Sequence, residues 1–101
     1  MRTRKKKYSD YGITKREKEY IMQYCRQADS EQKEIIKAAL SDMDPYIGQL
    51  VLNSLLHGLS YEEMFCRDYI YIGKGDFYGY RRKGIAAIKR WMILYEIWEI
   101  E

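Results

Sequence analysis

Proline occurs once in this chain, at Pro45, histidine once, at His57, and phenylalanine twice. Cysteine is confined to Cys25 and Cys66, far apart and without a C-x-x-C pair. Two isolated thiols and one imidazole do not make the four-ligand set that a structural zinc site requires. The single histidine has no recognisable nucleophile partner, so neither a catalytic constellation nor a bound cofactor is expected. No apolar run approaches the ~20 residues needed to span a bilayer. The amino-terminal charges are not followed by an apolar segment, which argues against a secretory signal. Together with the unpaired thiols, this predicts a reduced, cytoplasmic setting.

At 101 residues the chain has room for one domain with a modest core. Tyrosine is abundant, with 11 copies, and its apolar ring with a polar tip suits half-buried and interfacial positions. The net charge of +3 hides an uneven distribution. Arg2, Arg4, Lys5, Lys6 and Lys7 form one basic run, and Arg81, Arg82, Lys83, Lys89 and Arg90 a second, with an acid-rich middle between them. Two basic patches on a small domain attract a polyanion, although each alone also reads as a solvated tail or helix face.

Residues 1–13 lack helical periodicity and are expected to form a flexible basic arm, ahead of a single helical domain over 14–101. Thr14 with Glu17 makes a capping box, and Ile21, Tyr24, Cys25 and Ala28 follow at helical spacing, predicting a helix over 15–28. Asp29 or Ser30 can start a second helix, ending near Asp42. Asp44-Pro45 opens a third, which Gly58 closes in a left-handed cap. Ser60 with Glu63 is another capping box and begins a short fourth helix, with Met64 and Phe65 facing inward. Residues 69–72 read as an extended connection, too short to build a sheet. A fifth helix starts near Lys74 and runs to the late nineties. The fold class is therefore all-α, a small bundle of about five helices with a long last one.

The order Gly58-Leu-Ser-Tyr-Glu-Glu-Met, short helix, Ile72-Gly73 and a basic helix resembles the helix-turn-helix of sigma-factor region 4. A closer likeness is to phage-encoded late transcriptional regulators of the ArpU/RinA kind. Their recognition helix is similar to Gly75-Asp76-Phe77-Tyr78-Gly79-Tyr80-Arg81-Arg82-Lys83, and the opening MRTRKKKYSDYG also looks like that group. The resemblance implies a helix-turn-helix at about 60–85 and a DNA-binding regulator of phage or prophage origin. It would read duplex DNA through the helix at 74–85. In such a helix the early residues reach base edges and later Arg or Lys meet phosphates. The candidates are Lys74, Tyr78, Gly79, Tyr80, Arg81 and Arg82, with Arg4, Lys5 and Lys6 of the arm. Arg81 and Arg82 are expected to lie outside the core. Asp76 and Gly79 stand where the family pattern has Thr and Arg. They favour an alternative, a sigma-like interaction module that docks on RNA polymerase or another regulator without binding DNA.

Other features read more simply. Gly73-Lys-Gly-Asp-Phe-Tyr-Gly79 lacks the strand and acidic ligand of a nucleotide-binding loop. Glu62 and Glu63 are a helix cap and its neighbour, and Cys66 is a half-buried small residue. Phe77 should point into the core. The carboxy-terminal helix is apolar nearly all round, with Gly84, Ile88, Trp91, Tyr95 and Trp98 in an inward stripe. That leaves Ile93, Leu94 and Ile97 looking outward, as the interface of a homodimer or under the first two helices.

Overall fold

Capping chemistry sets where the helices begin. In the computed structural model, which describes residues 6–99, Thr14 and Glu17 close a reciprocal box at the start of α1 (Lys15–Arg26). Asp29 and Gln32 do the same for α2 (Ser30–Ala39), and Ser60 and Glu63 for α4 (Tyr61–Arg67). The Asp44 carboxylate accepts from the Tyr46 and Ile47 N–H groups ahead of α3 (Pro45–His57), and Gly58 ends that helix at φ 64°. Each box satisfies N–H groups that have no partner within the helix. α5 (Lys74–Leu94) is the longest element and starts without a side-chain cap. No strand occurs among the described residues, so the molecule is all-α, and no helix is long and apolar enough to cross a membrane. Residues 69–72 form an irregular connection in which only Ile70 is buried.

α5 lies at the centre and packs on α1, α2, α3 and α4. Its inner positions are a mixture of large and very small residues: Phe77, Ile85, Ile88 and Met92 fill the core beside buried Gly79, Gly84, Ala86 and Ala87. At Gly84 the fit is closest, because a Cβ there would stand 2.9 Å from Leu40 Cδ2 and 3.2 Å from Val51 Cγ1. The small side chain lets the end of α2 and the middle of α3 approach the helix axis. Ile21, Cys25, Ile36, Val51 and Leu55 complete the core. Burial pushes the Cys25 thiol up to about 12, so it behaves as a small apolar residue.

Three expectations change. First, the described part of the basic arm, residues 6–13, is docked. Tyr8–Tyr11 form a 3-10 turn against α5, Gly12 turns the chain at φ 70° and Ile13 is buried. Tyr8 and Ile13 carry enough apolar surface to seat the segment, which a reading of its charges alone misses; residues 1–5 lie outside the described residues. Second, Phe65 faces outward rather than inward, and Cys66 is exposed rather than half-buried, since α4 is too short to bury more than the stripe containing Met64.

Third, α5 stops at Leu94. Glu96 adopts φ 58°, its N–H donates to the Ile93 carbonyl at 3.0 Å, and the Ile97 N–H donates to the Met92 carbonyl at 2.9 Å. This pair of bonds is the Schellman closure, normally built on glycine. The reversed tail brings Trp98 edge-on to Tyr20, at 5.4 Å between ring centroids. Ile97 is thereby half-buried against the core, leaving Ile93, Leu94 and Tyr95 exposed. The outward patch is accordingly Ile93, Leu94 and Tyr95, not Ile93, Leu94 and Ile97.

Two measurements check this packing. Phe77 is fully buried, so Phe77→Ala should lose roughly 3–5 kcal/mol of stability in a denaturant titration. Glu96→Gly should gain about 0.5–1 kcal/mol, because the left-handed penalty on an L-residue exceeds the extra chain entropy of glycine. An unchanged or lowered midpoint for Glu96→Gly would mean that the helix does not end in this turn.

Candidate nucleic-acid interface

The segment 60–85 comprises α4, the connection 68–73 and the first half of α5. Tyrosines tie these parts together. The Tyr61 N–H donates to Tyr78 Oη at 3.1 Å, and Tyr61 Oη donates to the Ile72 carbonyl at 2.7 Å. Tyr78 thus satisfies a free N–H in the first turn of α4, while its ring packs edge-on against Phe77. Of the residues expected to read DNA, Tyr78 is therefore an internal strut. Gly79 is buried, which withdraws it from any DNA backbone and explains the small residue by helix packing. Tyr80 is half-buried against the core.

Arg81 and Arg82, expected outside the core, are both built into it at its edge. Arg81 Nη1 donates to Ser54 Oγ at 3.3 Å, and the guanidinium lies 4.7 Å from the centroid of Tyr78. Ser54 is only 2% exposed, and its own hydroxyl donates to the Leu59 carbonyl at 2.7 Å. Arg81 Nε is buried without a hydrogen-bond partner. Burial pushes the nearby Tyr8 phenol up, while the charge of Arg81 partly opposes the rise. Arg82 Nε donates to the Lys6 carbonyl at 2.7 Å. Arg81 departs because Ser54 of α3 and the Tyr78 ring stand beside it, and Arg82 because the docked amino-terminal segment covers a face of α5 that a free arm would leave open.

Lys74 is exposed at the start of α5 and pairs with Glu62. The pair holds the Glu62 carboxyl below its ordinary range and raises Lys74, yet in open solvent it contributes little to stability. Lys6 is half-buried with its ammonium 5.4 Å from the Tyr11 ring centroid, and Arg4 and Lys5 lie outside the described residues. Lys7, Lys83 and Arg90 are exposed and had no place among the expected contacts. Lys83 and Arg90 are seven residues apart on one face of α5, a spacing legible in the sequence. Arg26 is exposed at the end of α1 and lines a cleft with Arg81, a pairing that nothing in the sequence announces. No group of side chains suited to a metal ion occurs among the described residues.

A second exposed surface is aromatic. Tyr46, Phe65, Tyr69 and Tyr71 are all more than a third exposed and touch in sequence, Tyr46 to Tyr71 at 5.9 Å, Tyr71 to Tyr69 at 4.9 Å and Tyr69 to Phe65 at 5.3 Å. The Tyr71 N–H donates to Tyr46 Oη at 2.9 Å, fixing the connection on α3. Compared with protein-family models, with curated proteins and with solved structures, the chain matches none.

Lys89 ties α5 to both the amino-terminal segment and α1, its ammonium donating to the Gly12 carbonyl at 3.4 Å and reaching Glu17 Oε2 at 2.9 Å. Hydrogen bonding from the Thr14 N–H, and then from Lys89, holds the Glu17 carboxyl below its usual range. A depressed acid stabilises fully above its unfolded value of about 4.3 and loses that contribution as pH falls through the folded value. Glu17→Gln keeps the cap but loses the charge, so it should lower the melting temperature at pH 7 and narrow its difference from wild type near pH 3. Arg81→Ala should destabilise by about 0.5–1.5 kcal/mol, because it removes one hydrogen bond to Ser54, whose hydroxyl keeps its bond to the Leu59 carbonyl. Retention of the full wild-type midpoint in Arg81→Ala would return this residue to the solvent.

Proposed function

We propose that this chain is a DNA-binding transcriptional regulator, acting in the cytoplasm and derived from a phage or prophage, in which 60–85 forms a helix-turn-helix. The observation that carries the reading is the contact between Lys6 and Arg82, 76 positions apart. It fuses the two basic runs of the sequence into one surface. Lys7 and Lys83, each next in the chain to one end of that contact, are exposed, and Arg2, Arg4 and Lys5 precede them in the chain. A surface of that sign attracts the phosphates of duplex DNA and releases their counterions. The exposed contacts in this reading are Lys74, Lys7 and Lys83, with Arg82 held at the edge, whereas Tyr78 and Gly79 serve the fold. Dimerisation through the exposed end of α5, at Ile93 and Leu94, would place two such surfaces on one site.

A specific observation favours a second reading. The exposed ring ladder Tyr46–Tyr71–Tyr69–Phe65 has the composition of a protein-docking hot spot. In that case the domain engages RNA polymerase or another regulator without DNA.

Gel-shift titrations with duplex DNA at low and physiological salt separate the two. Binding should weaken steeply with salt, and Lys7→Gln with Lys83→Gln should lower the slope of log affinity against log salt by about one per charge removed. Absence of binding at low salt removes the DNA reading and leaves the docking one.

A further inference from the structure

Arg81 and Arg26 line the same cleft, and neither has a carboxylate partner within ion-pair distance among the described residues. The cleft has a volume of about 250 Å³ and lies where the end of α1, the α3–α4 turn and α5 meet. Arg26 lies flat over Gly58, where a Cβ would stand 3.0 Å from its Nε. Gly58 therefore leaves room for a guanidinium at the mouth. Arg81 forms an inner wall, oriented by Ser54, whose hydroxyl proton is already committed to the Leu59 carbonyl. Ser60 Oγ accepts from the Glu63 N–H, so its own proton is free to be donated into the cleft. Glu63 contributes the one carboxylate, and that group is turned to the Ser60 N–H at 2.9 Å. Hydrogen bonding from the Ser60 N–H, aided by the charge of Arg67, holds this carboxyl below its ordinary range.

We infer that this cleft is an oxyanion site, taking a phosphoryl group between Arg26, Arg81 and the Ser60 hydroxyl. Guanidinium forks match phosphate oxygens in pairs. The space accommodates a tetrahedral anion with some of its water, since each water occupies about 30 Å³. A bound anion also supplies the carboxylate-like counter-charge that Arg81 lacks among the described residues. On the DNA-binding reading above, on which this assignment of the source rests, the anion is a backbone phosphate. It would then sit behind the basic surface of Lys6, Lys7 and Lys83 and fix how the duplex lies across α4 and α5. A free phosphorylated small molecule presents the same chemistry.

The test titrates inorganic phosphate against chloride at constant ionic strength, following the backbone amide resonances of Gly58, Ser60 and Tyr61. Saturable shifts at these positions are expected. Arg26→Gln, an exposed change that leaves the core intact, should weaken phosphate about tenfold, the worth of one charge-assisted hydrogen bond. Glu63→Gln keeps the capping box and should tighten it, by removing the like charge among the described lining residues. In duplex-DNA titrations Arg26→Gln should also weaken binding and lower the salt slope by about one. Phosphate shifts that are absent, or indifferent to both Arg26→Gln and Glu63→Gln, overturn the site even if DNA binds through the arm. Shifts that respond to both variants in a protein that does not bind DNA establish the site for a small phosphorylated ligand and remove the DNA reading.

Discussion

The close approach at Gly84 governs how the other elements can be arranged. Leu40 at the end of α2, Met43 of the following turn and Val51 of α3 press on this point of α5, and Gly79, Ala86 and Ala87 extend the same low relief along its buried faces. A helix with these positions filled by larger residues would be held further from α2 and α3. Instead α5 is enclosed on most sides, and the large residues Phe77, Ile85, Ile88 and Met92 knit four neighbours into one core. Glycine within a helix is unfavourable by roughly 1 kcal/mol relative to alanine, and the packing it permits here offsets that loss.

Enclosure of α5 decides the fate of its charges. The polar positions that follow Phe77 cannot all reach water, so Arg81 finds Ser54 and the Tyr78 ring and Arg82 finds a main-chain carbonyl. The charges left to solvent are those of Lys74, Lys83 and Arg90, on helix faces that no neighbour covers. A sequence motif for a recognition helix and the interior of a bundle thus share one segment. Arg81, half-buried and without a carboxylate partner among the described residues, is the physical residue of that overlap.

Much of this was legible beforehand because capping and turn chemistry act over three or four residues. Thr14 with Glu17, Asp44-Pro45, Gly58 and Ser60 with Glu63 each mark a boundary through a local interaction, and the all-α architecture follows from them. What was not legible is long-range. Nothing near Lys6 in the chain announces Arg82, and nothing near Ser54 announces Arg81. Glu96 in a left-handed conformation breaks the usual preference for glycine, so the apolar pattern of 88–98 reads as continuous helix although the chain reverses. Of the expected contact set, Tyr78, Gly79 and Arg81 are half-buried or buried, because helical position alone does not say which face a neighbouring segment will cover.

The way α5 holds the amino-terminal segment bears on how that segment can change over generations. Arg82 donates to the carbonyl of Lys6 and Lys89 to that of Gly12. Both acceptors are main-chain oxygens, present whatever side chain the position carries. Substitutions at Lys7, Ser9 or Asp10, all exposed, leave those acceptors in place. The seat is written in α5 while the occupant's chemistry is written elsewhere, so selection can retune the charge and shape of the segment without rebuilding its anchorage.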